Sequence, residues 1–326
     1  MATMTYRDAI RQALREEMQR DERVFIMGEE VGVWGGTYAV TRGLLDEFGE
    51  KRVRDTPISE TAIVGAGIGA AMAGLRPVAE LMTINFGLIA MDQIVNNAAK
   101  LHYMFGGQIR VPLVIRTAGG GGRQLAATHS QSLEAIFAFF PGLKVVLPAT
   151  PADAKGLLKT AIRDENPVLF IEHSLLYGLR GEVPDGEHLV PIGKANVVRP
   201  GRDVTIITYS RMLHTSLEAA EQLARDGIEA EVIDLRSLRP LDMDTVIQSF
   251  KKTYRAVVVT EDWPSFGVSA EVAAQLYERG FDYLDAPIKR LSSAEVPVPY
   301  AKNLEAAATP DSNAVVRAVR EIVRKT

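Results

Sequence analysis

The chain has 326 residues, a formal charge of −4 from 37 Lys+Arg against 41 Asp+Glu, 47% hydrophobic and 24% charged residues, and no cysteine. At roughly 150 residues to a core the length predicts two domains, and the composition is that of a soluble globular protein, not a disordered one. The charge balance leaves no basic footprint for nucleic acid or an anionic membrane, and without cysteine there is no disulfide framework, thiolate nucleophile, iron–sulfur cluster or cysteine–zinc site.

Thr5 with Asp8 three residues on marks a helix start, and Ile10, Leu14 and Met18 recur behind it at helical spacing. Residues 24–27 (Val-Phe-Ile-Met) read as a buried strand ending at Gly28. Apolar runs at 78–82, 111–115, 145–147 and 168–171 read as further strands, with helices over 89–101 and 152–163 among them. Buried strands alternating with helices predict an α/β domain on a mostly parallel sheet. Pro184, Asp185, Gly186, Pro191, Gly193, Pro200 and Gly201 punctuate residues 182–201, which read as a domain boundary. A second alternation follows, with strands at 204–209, 230–233, 256–260 and 288–291 and helices at 212–225, 241–250, 268–279 and 313–325. Residues 294–310, rich in proline and alanine, are expected to wrap the surface. The domains are expected to be 1–185 and 186–326.

The N-terminus lacks the apolar core of a signal peptide. The longest weakly polar run, residues 62–75, is shorter than the roughly 20 residues that span a bilayer. A soluble, cytoplasmic protein is expected. The histidines (His102, His129, His173, His188 and His214) show no H-x-x-x-H spacing for zinc.

Gly65-Ala66-Gly67-Ile68-Gly69-Ala70 can be forced onto a dinucleotide fingerprint, but that motif needs a buried strand immediately before it. Here Pro57-Ile58-Ser59-Glu60-Thr61 precedes Ala62-Ile63-Val64, so the run reads as a helix whose small residues let another backbone pack closely. Gly119 to Gly122 form a loop after a strand. No Lys-Ser or Lys-Thr follows, so it is not a P-loop, and the chain has no G-x-S-x-G nucleophile elbow. His129-Ser130 beyond this loop is either part of an active site or an ordinary connection. Glu29, Glu30 and Glu60, taken singly, read equally as solvated loop or helix-entry charges.

In order along the chain these blocks form a pattern. It runs through Gly28-Glu29-Glu30-Val31, Gly35-Gly36-Thr37-Tyr38, Arg54-Asp55-Thr56-Pro57-Ile58-Ser59-Glu60, the Gly65–Ala71 run, Asn85-Phe86 and Asp92-Gln93. His129-Ser130-Gln131, Pro141-Gly142-Leu143-Lys144-Val145-Val146, Asp153-Ala154-Lys155-Gly156-Leu157-Leu158 and Arg163-Asp164-Glu165-Asn166-Pro167-Val168 continue it. Phe281-Asp282-Tyr283-Leu284-Asp285-Ala286-Pro287-Ile288 and Val296-Pro297-Val298-Pro299-Tyr300-Ala301 close it. Over essentially its whole length the chain resembles the β subunits of the thiamine-diphosphate-dependent 2-oxo acid dehydrogenases, the pyruvate enzyme's most of all.

The resemblance implies a pyrimidine-binding domain of parallel-sheet α/β type followed by a transketolase C-terminal-like α/β domain. Glu60 falls on the glutamate that shares a proton with the aminopyrimidine N1′, Phe86 on the aromatic that stacks on that ring, and Ile58 and Met82 on apolar contacts. Glu29 falls on a second acidic residue near it. His129 matches a histidine that assists reductive acylation of a lipoyl group. Leu113, Ala161, Ile162, Asp164 and Asn166 match a potassium site made largely of main-chain carbonyls, although 164–167 also reads as a plain turn. Ile89 stands where some relatives carry a polar glutamine, so that contact is not carried over. The family's Gly-Asp-Gly motif for diphosphate and Mg2+ is absent, since Asp185-Gly186 and Asp226-Gly227 lack the first glycine. The resemblance therefore implies an α subunit that supplies the other half of the cofactor site and most of the Mg2+ ligation, in an assembly of two α and two β chains. It further implies pyruvate as substrate, a dihydrolipoyl acyltransferase as acceptor, and acetyl-CoA formation downstream of glycolysis. A branched-chain 2-oxo acid or acetoin enzyme is the alternative within the class. An NAD-binding oxidoreductase and a non-catalytic scaffold subunit are the alternatives outside it.

Overall fold

A computed structural model describes residues Met1–Val323 of the chain. It divides into two compact units, one of Met1–Gly119 with Ile136–Ile192, the other of Gly120–Ala135 with the chain from Gly193 onward.

The first unit opens with β1 (Ala2–Thr5) and α1 (Tyr6–Arg20). Thr5 caps α1, its side chain accepting from the Asp8 backbone N–H at 3.1 Å. Then come β2 (Val24–Gly28), α2 (Leu44–Phe48), β3 (Val53–Asp55), α3 (Glu60–Met72), β4 (Arg76–Leu81), a 3₁₀ turn (Ile84–Leu88), a π-helical turn (Gln93–Ala98) and α4 (Leu101–Met104). The unit continues through β5 (Val114–Gly119), the end of α5 (Glu134–Ala138) from Ile136, β6 (Lys144–Val146), α6 (Pro151–Arg163), β7 (Val168–His173) and β8 (Arg180–Val183).

Six of its strands form a parallel sheet in the order β6-β7-β5-β4-β2-β3, while β1 pairs antiparallel with β8. Every residue of β2, β4 and β7 is buried, as a parallel sheet covered on both faces requires. Ile10, Leu14 and Met18 of α1 enter the same core as Leu157, Leu158 and Ile162 of α6. The helix α3 packs with its small residues. A Cβ on Gly67 would sit 3.1 Å from Leu113 Cδ1 and 3.8 Å from the Ala79 Cβ, so glycine sets how closely the helix lies on the sheet.

The second unit contains β9 (Asn196–Arg199), β10 (Val204–Thr208), α7 (Met212–Arg225), β11 (Ala230–Asp234), β12 (Ser237–Arg239), α8 (Met243–Thr253) and β13 (Ala256–Val259). After these come α9 (Val268–Gly280), β14 (Lys289–Leu291), α10 (Lys302–Ala308) and α11 (Ser312–Ile322). Its sheet runs β14-β13-β10-β11-β9, parallel except for β9.

Four expectations need correction. The strand expected at 111–115 lies at Val114–Gly119, because Pro112 has no N–H to give a ladder. The helix expected at 89–101 breaks into a π-helical turn and a short α-helix. There Asn96 donates to Asp92 Oδ1 at 2.7 Å and Asn97 to Gln93 Oε1 at 3.2 Å and the Asp92 carbonyl at 3.4 Å, so side chains compete for the groups of the helix. The punctuated stretch 182–201 carries strand at both ends, and the tail at 294–310 carries a helix. The closing helix is Ser312–Ile322, and the last two residues expected in it lie outside the described residues.

Gly67→Val should lift α3 from the sheet and lower stability by about 1–3 kcal/mol, the usual scale of overpacking. Leu113→Ala in the same chain should recover part of the loss, which differential scanning calorimetry of the single and double variants would read.

Candidate active site

In α/β sheets, chemistry gathers at the C-terminal ends of the parallel strands. In the first unit β2 ends at Gly28 and delivers Glu29, which is buried and whose Oε1 has no hydrogen-bond partner in the protein. The loop behind it is pinned by Asp55 at the end of β3, which accepts from the backbone N–H of Gly32 at 2.6 Å and of Val33 at 3.2 Å. Five residues after Asp55, Glu60 opens α3 with its side chain buried at a helix N-terminus, where the backbone dipole favours negative charge. Burial pushes the Glu29 carboxyl up, and the nearby carboxylates of Glu60, Glu30 and Glu80 push it further.

Met82 follows β4 directly and Phe86 lies in the 3₁₀ turn behind it; both are half-buried. Thr61 donates to the Ile89 carbonyl at 2.9 Å, which ties α3 to that turn. Ile58 is 80% exposed and Ile89 58% exposed, so apolar side chains around Glu60 are open on this chain. The Gly65–Ala70 run lies inside α3, where it makes no turn for a dinucleotide phosphate.

His129 belongs to the second unit. It is exposed, with Thr128 Oγ1 2.9 Å from its Nδ1. The glycine loop before it is held by carboxylates. Glu261 accepts from the Gly121 N–H at 2.8 Å, and Glu305 accepts from Gly122 at 2.8 Å and Gln124 at 3.1 Å. Beyond His129 the buried Glu134 accepts from the Tyr209 hydroxyl at 2.8 Å. Burial, with the charges of Asp262 and Glu261 nearby, pushes the Glu134 carboxyl up to about 8.

Leu113, Ala161, Ile162, Asp164 and Asn166 gather at the opposite edge of the first sheet. Arg76, at the start of β4, donates to the carbonyls of Ile162 at 2.9 Å and Asp164 at 3.1 Å. Six residue steps of strand put this turn about 20 Å from Met82. The Leu113 carbonyl accepts from the Val168 N–H and the Ala161 carbonyl from the Asp164 N–H. Each carbonyl keeps a second lone pair for a hard cation. Asp164 is half-buried, which alone would raise its carboxyl, but Lys144 and Asn166 hold it below the usual range.

Two sets of residues escaped the sequence reading. Glu261 and Glu305 give no sequence signal at all. Glu80, Arg116 and Glu172 do give one, since each is a charge inside an otherwise apolar strand, and the structure joins them in one buried network.

The family models match the same regions: "Transketolase, pyrimidine binding domain" covers residues 2–179 and "Transketolase, C-terminal domain" covers 193–315. The chain is 50% identical over 319 residues to the pyruvate dehydrogenase E1 component subunit beta of Rickettsia bellii, covering 98% of each chain. It is 52% identical over 319 residues to the mitochondrial subunit beta-1 of Arabidopsis thaliana, covering 97% of this chain and 88% of that one. The chain belongs to the family of pyruvate dehydrogenase E1 β subunits. Caenorhabditis elegans has a mitochondrial relative at 51% identity, covering 98% of this chain and 92% of the relative. A solved structure described as a split-gene transketolase, inactive beta4 tetramer, matches with a TM-score of 0.81 at 24% identity over 98% of both chains, which shows the shared fold. The pyrimidine-binding and transketolase C-terminal modules follow one another in the chain.

Glu134 supplies a pH test. Its folded carboxyl titrates near 8 and its unfolded one near 4.5, so the folded state alone holds the proton between these values. Stability should therefore fall as pH rises from about 4.5 to 8, and the loss is complete above that window. Glu134→Gln cannot ionise, so its melting temperature should gain on the wild type steadily across this range. Parallel pH curves for the two proteins would refute the assignment.

Proposed function

We propose that this chain is the β subunit of a pyruvate dehydrogenase E1 component, active with an α subunit, and that Glu60 is its central acid–base group. The observation that carries the reading is a buried glutamate at the first turn of α3 beside the buried Glu29, in a chain half identical over almost its full length to E1 β subunits. The relatives named above carry the pyruvate name, so pyruvate is the proposed substrate in place of a branched-chain 2-oxo acid or acetoin.

The residues present suit half of thiamine diphosphate. Glu29 has a buried oxygen without a partner, Glu60 is a buried carboxyl at a helix start, and Phe86 and Met82 are half-buried groups that can flank a flat ring. When bound, the cofactor supplies the electron sink that decarboxylation of a 2-oxo acid needs. Glu60 would hold and return a proton at the pyrimidine N1′. Met82 and Phe86 would fix the ring, and Ile58 would help exclude water once the α chain covers it. His129 would move a proton while the two-carbon unit passes to the lipoyl group of a dihydrolipoyl acyltransferase. Among the described residues no group of three or more His, Cys, Asp or Glu could hold a metal ion, and the proposal assigns the diphosphate and Mg2+ to the α chain. Potassium at Leu113, Ala161, Ile162, Asp164 and Asn166 and an assembly of two α and two β chains belong to the same proposal. So does a cytoplasmic location; among the described residues no helix is long and apolar enough to cross a membrane.

In the reconstituted α–β assembly, Glu60→Gln should leave cofactor binding nearly intact. It should slow exchange of the thiazolium C2 proton for deuterium by roughly 100-fold or more, the scale of a lost acid–base group. Exchange at the wild-type rate would remove Glu60 from the role. His129→Ala should slow the lipoamide-coupled reaction far more than reduction of an artificial electron acceptor. Equal losses in the two assays would take His129 out of acyl transfer.

A further inference from the structure

Behind the Glu29–Glu60 pair lies a buried charged row that the proposed chemistry does not use. In the sheet register Gly28 of β2 faces Glu80 of β4, and Glu80 faces Arg116 of β5. Register partners on parallel strands share a face, and Glu172 of β7, two residues past the partner of Arg116, joins them. All three side chains are buried. Arg116 pairs with Glu80 on one side and with both oxygens of Glu172 on the other, and the Tyr177 hydroxyl donates to Glu172 at 2.6 Å. Arg116 and Tyr177 both engage Glu172, whereas the second oxygen of Glu80 lies toward the loop above.

That oxygen, Oε1, lies 2.8 Å from where a Cβ on Gly36 would sit. Gly36 has φ +75°, and its N–H donates to the Glu30 carbonyl at 2.8 Å, closing the loop that begins at Glu29. Glycine is needed there both for the backbone and for room above the Glu80 carboxylate. The loop carrying Glu29 therefore rests on Glu80, and Glu80 is held in place by Arg116.

We propose that Glu80, clamped by Arg116, is a positioning residue for Glu29: it seats the Glu29–Gly36 loop from below and sets the charge that the Glu29 carboxyl faces. The inference rests on the function proposed for the Glu29–Glu60 pair and extends it one strand into the sheet. The titratable and charged groups around Glu80 and Glu29 are Glu30 on the loop, Asp55 at the end of β3, Glu60 on α3, Arg116 on β5, and Glu172 with Tyr177 on and after β7. Removing the negative charge of Glu80 lowers the proton affinity of Glu29, because one of the carboxylates that raise it is gone.

The test uses the full chain reconstituted with its α subunit, before thiamine diphosphate is added. The Glu29 carboxyl is followed by its infrared band across pH and assigned by the loss of that band in Glu29→Gln. In Glu80→Gln the midpoint should fall, so that less of Glu29 is protonated at a fixed pH. The alkaline limb of the pyruvate reaction should shift the same way. Arg116→Lys keeps the charge and should hold the midpoint near the wild type. Glu187→Gln, which removes a remote exposed carboxylate paired with Lys159 and Arg163, should leave both readouts unchanged. An unmoved Glu29 midpoint in folded Glu80→Gln overturns the inference, as does an equal shift in Glu187→Gln. Because the titration needs no cofactor, neither outcome touches the proton-exchange test of Glu60, and failure of that test leaves this titration readable.

Discussion

A parallel sheet buried on both faces places the hardest constraint on this protein: any charge inside it must be matched there, and free polar groups belong at the strand ends. Both parts of the constraint are visible in the first unit. Glu80, Arg116 and Glu172 sit within β4, β5 and β7, where one guanidinium pairs with two carboxylates in a network closed by Tyr177. Burial raises both carboxyls, while Arg116, which burial would lower, is instead held charged by its two partners. Such a network adds little net stability, since desolvation cancels much of the attraction, but it fixes geometry because no member can move alone.

The strand ends carry what the sheet interior cannot. Glu29 follows β2, Asp55 closes β3 and Met82 follows β4, so three neighbouring strands deliver an acid, a loop anchor and an apolar contact to one edge. Glu60 reaches the same edge from the start of a helix, buried where the backbone dipole favours negative charge. The glycines and alanines of α3 keep that helix against the sheet and so hold Glu60 at a set height.

The second unit holds a glycine loop by a different device. The chain from Gly119 to Gly122 has no side chains with which to hold itself, and its amides are fastened by Glu261 and Glu305, 140 and 183 positions away. His129 thus sits on a loop whose shape is fixed by distant carboxylates and not by its own composition. Glu134, a few residues further on, keeps its proton well above the usual carboxylate range because it is buried, with the charges of Asp262 and Glu261 adding to the effect.

Strand and helix type were legible in the residues themselves because the apolar periods of buried strands and amphipathic helices are local. The runs at 24–27, 168–171 and 256–260 and the helix Met212–Arg225 needed nothing but their neighbours in sequence. The ordered motifs also pointed to the family, and with it to Glu29, Glu60, Phe86 and His129. What the sequence could not determine depends on which residues meet. The missing N–H of Pro112 shifts β5, and asparagine side chains break the helix after Asp92, because each local preference competes with bonds made elsewhere. The register that aligns Gly28, Glu80 and Arg116 joins segments up to 88 positions apart, and only in that register does an arginine inside an apolar strand become the clamp of a loop next to Glu29. Local chemistry is written in the order of the residues, whereas charge pairing inside a sheet exists only once strand pairing has brought the partners side by side.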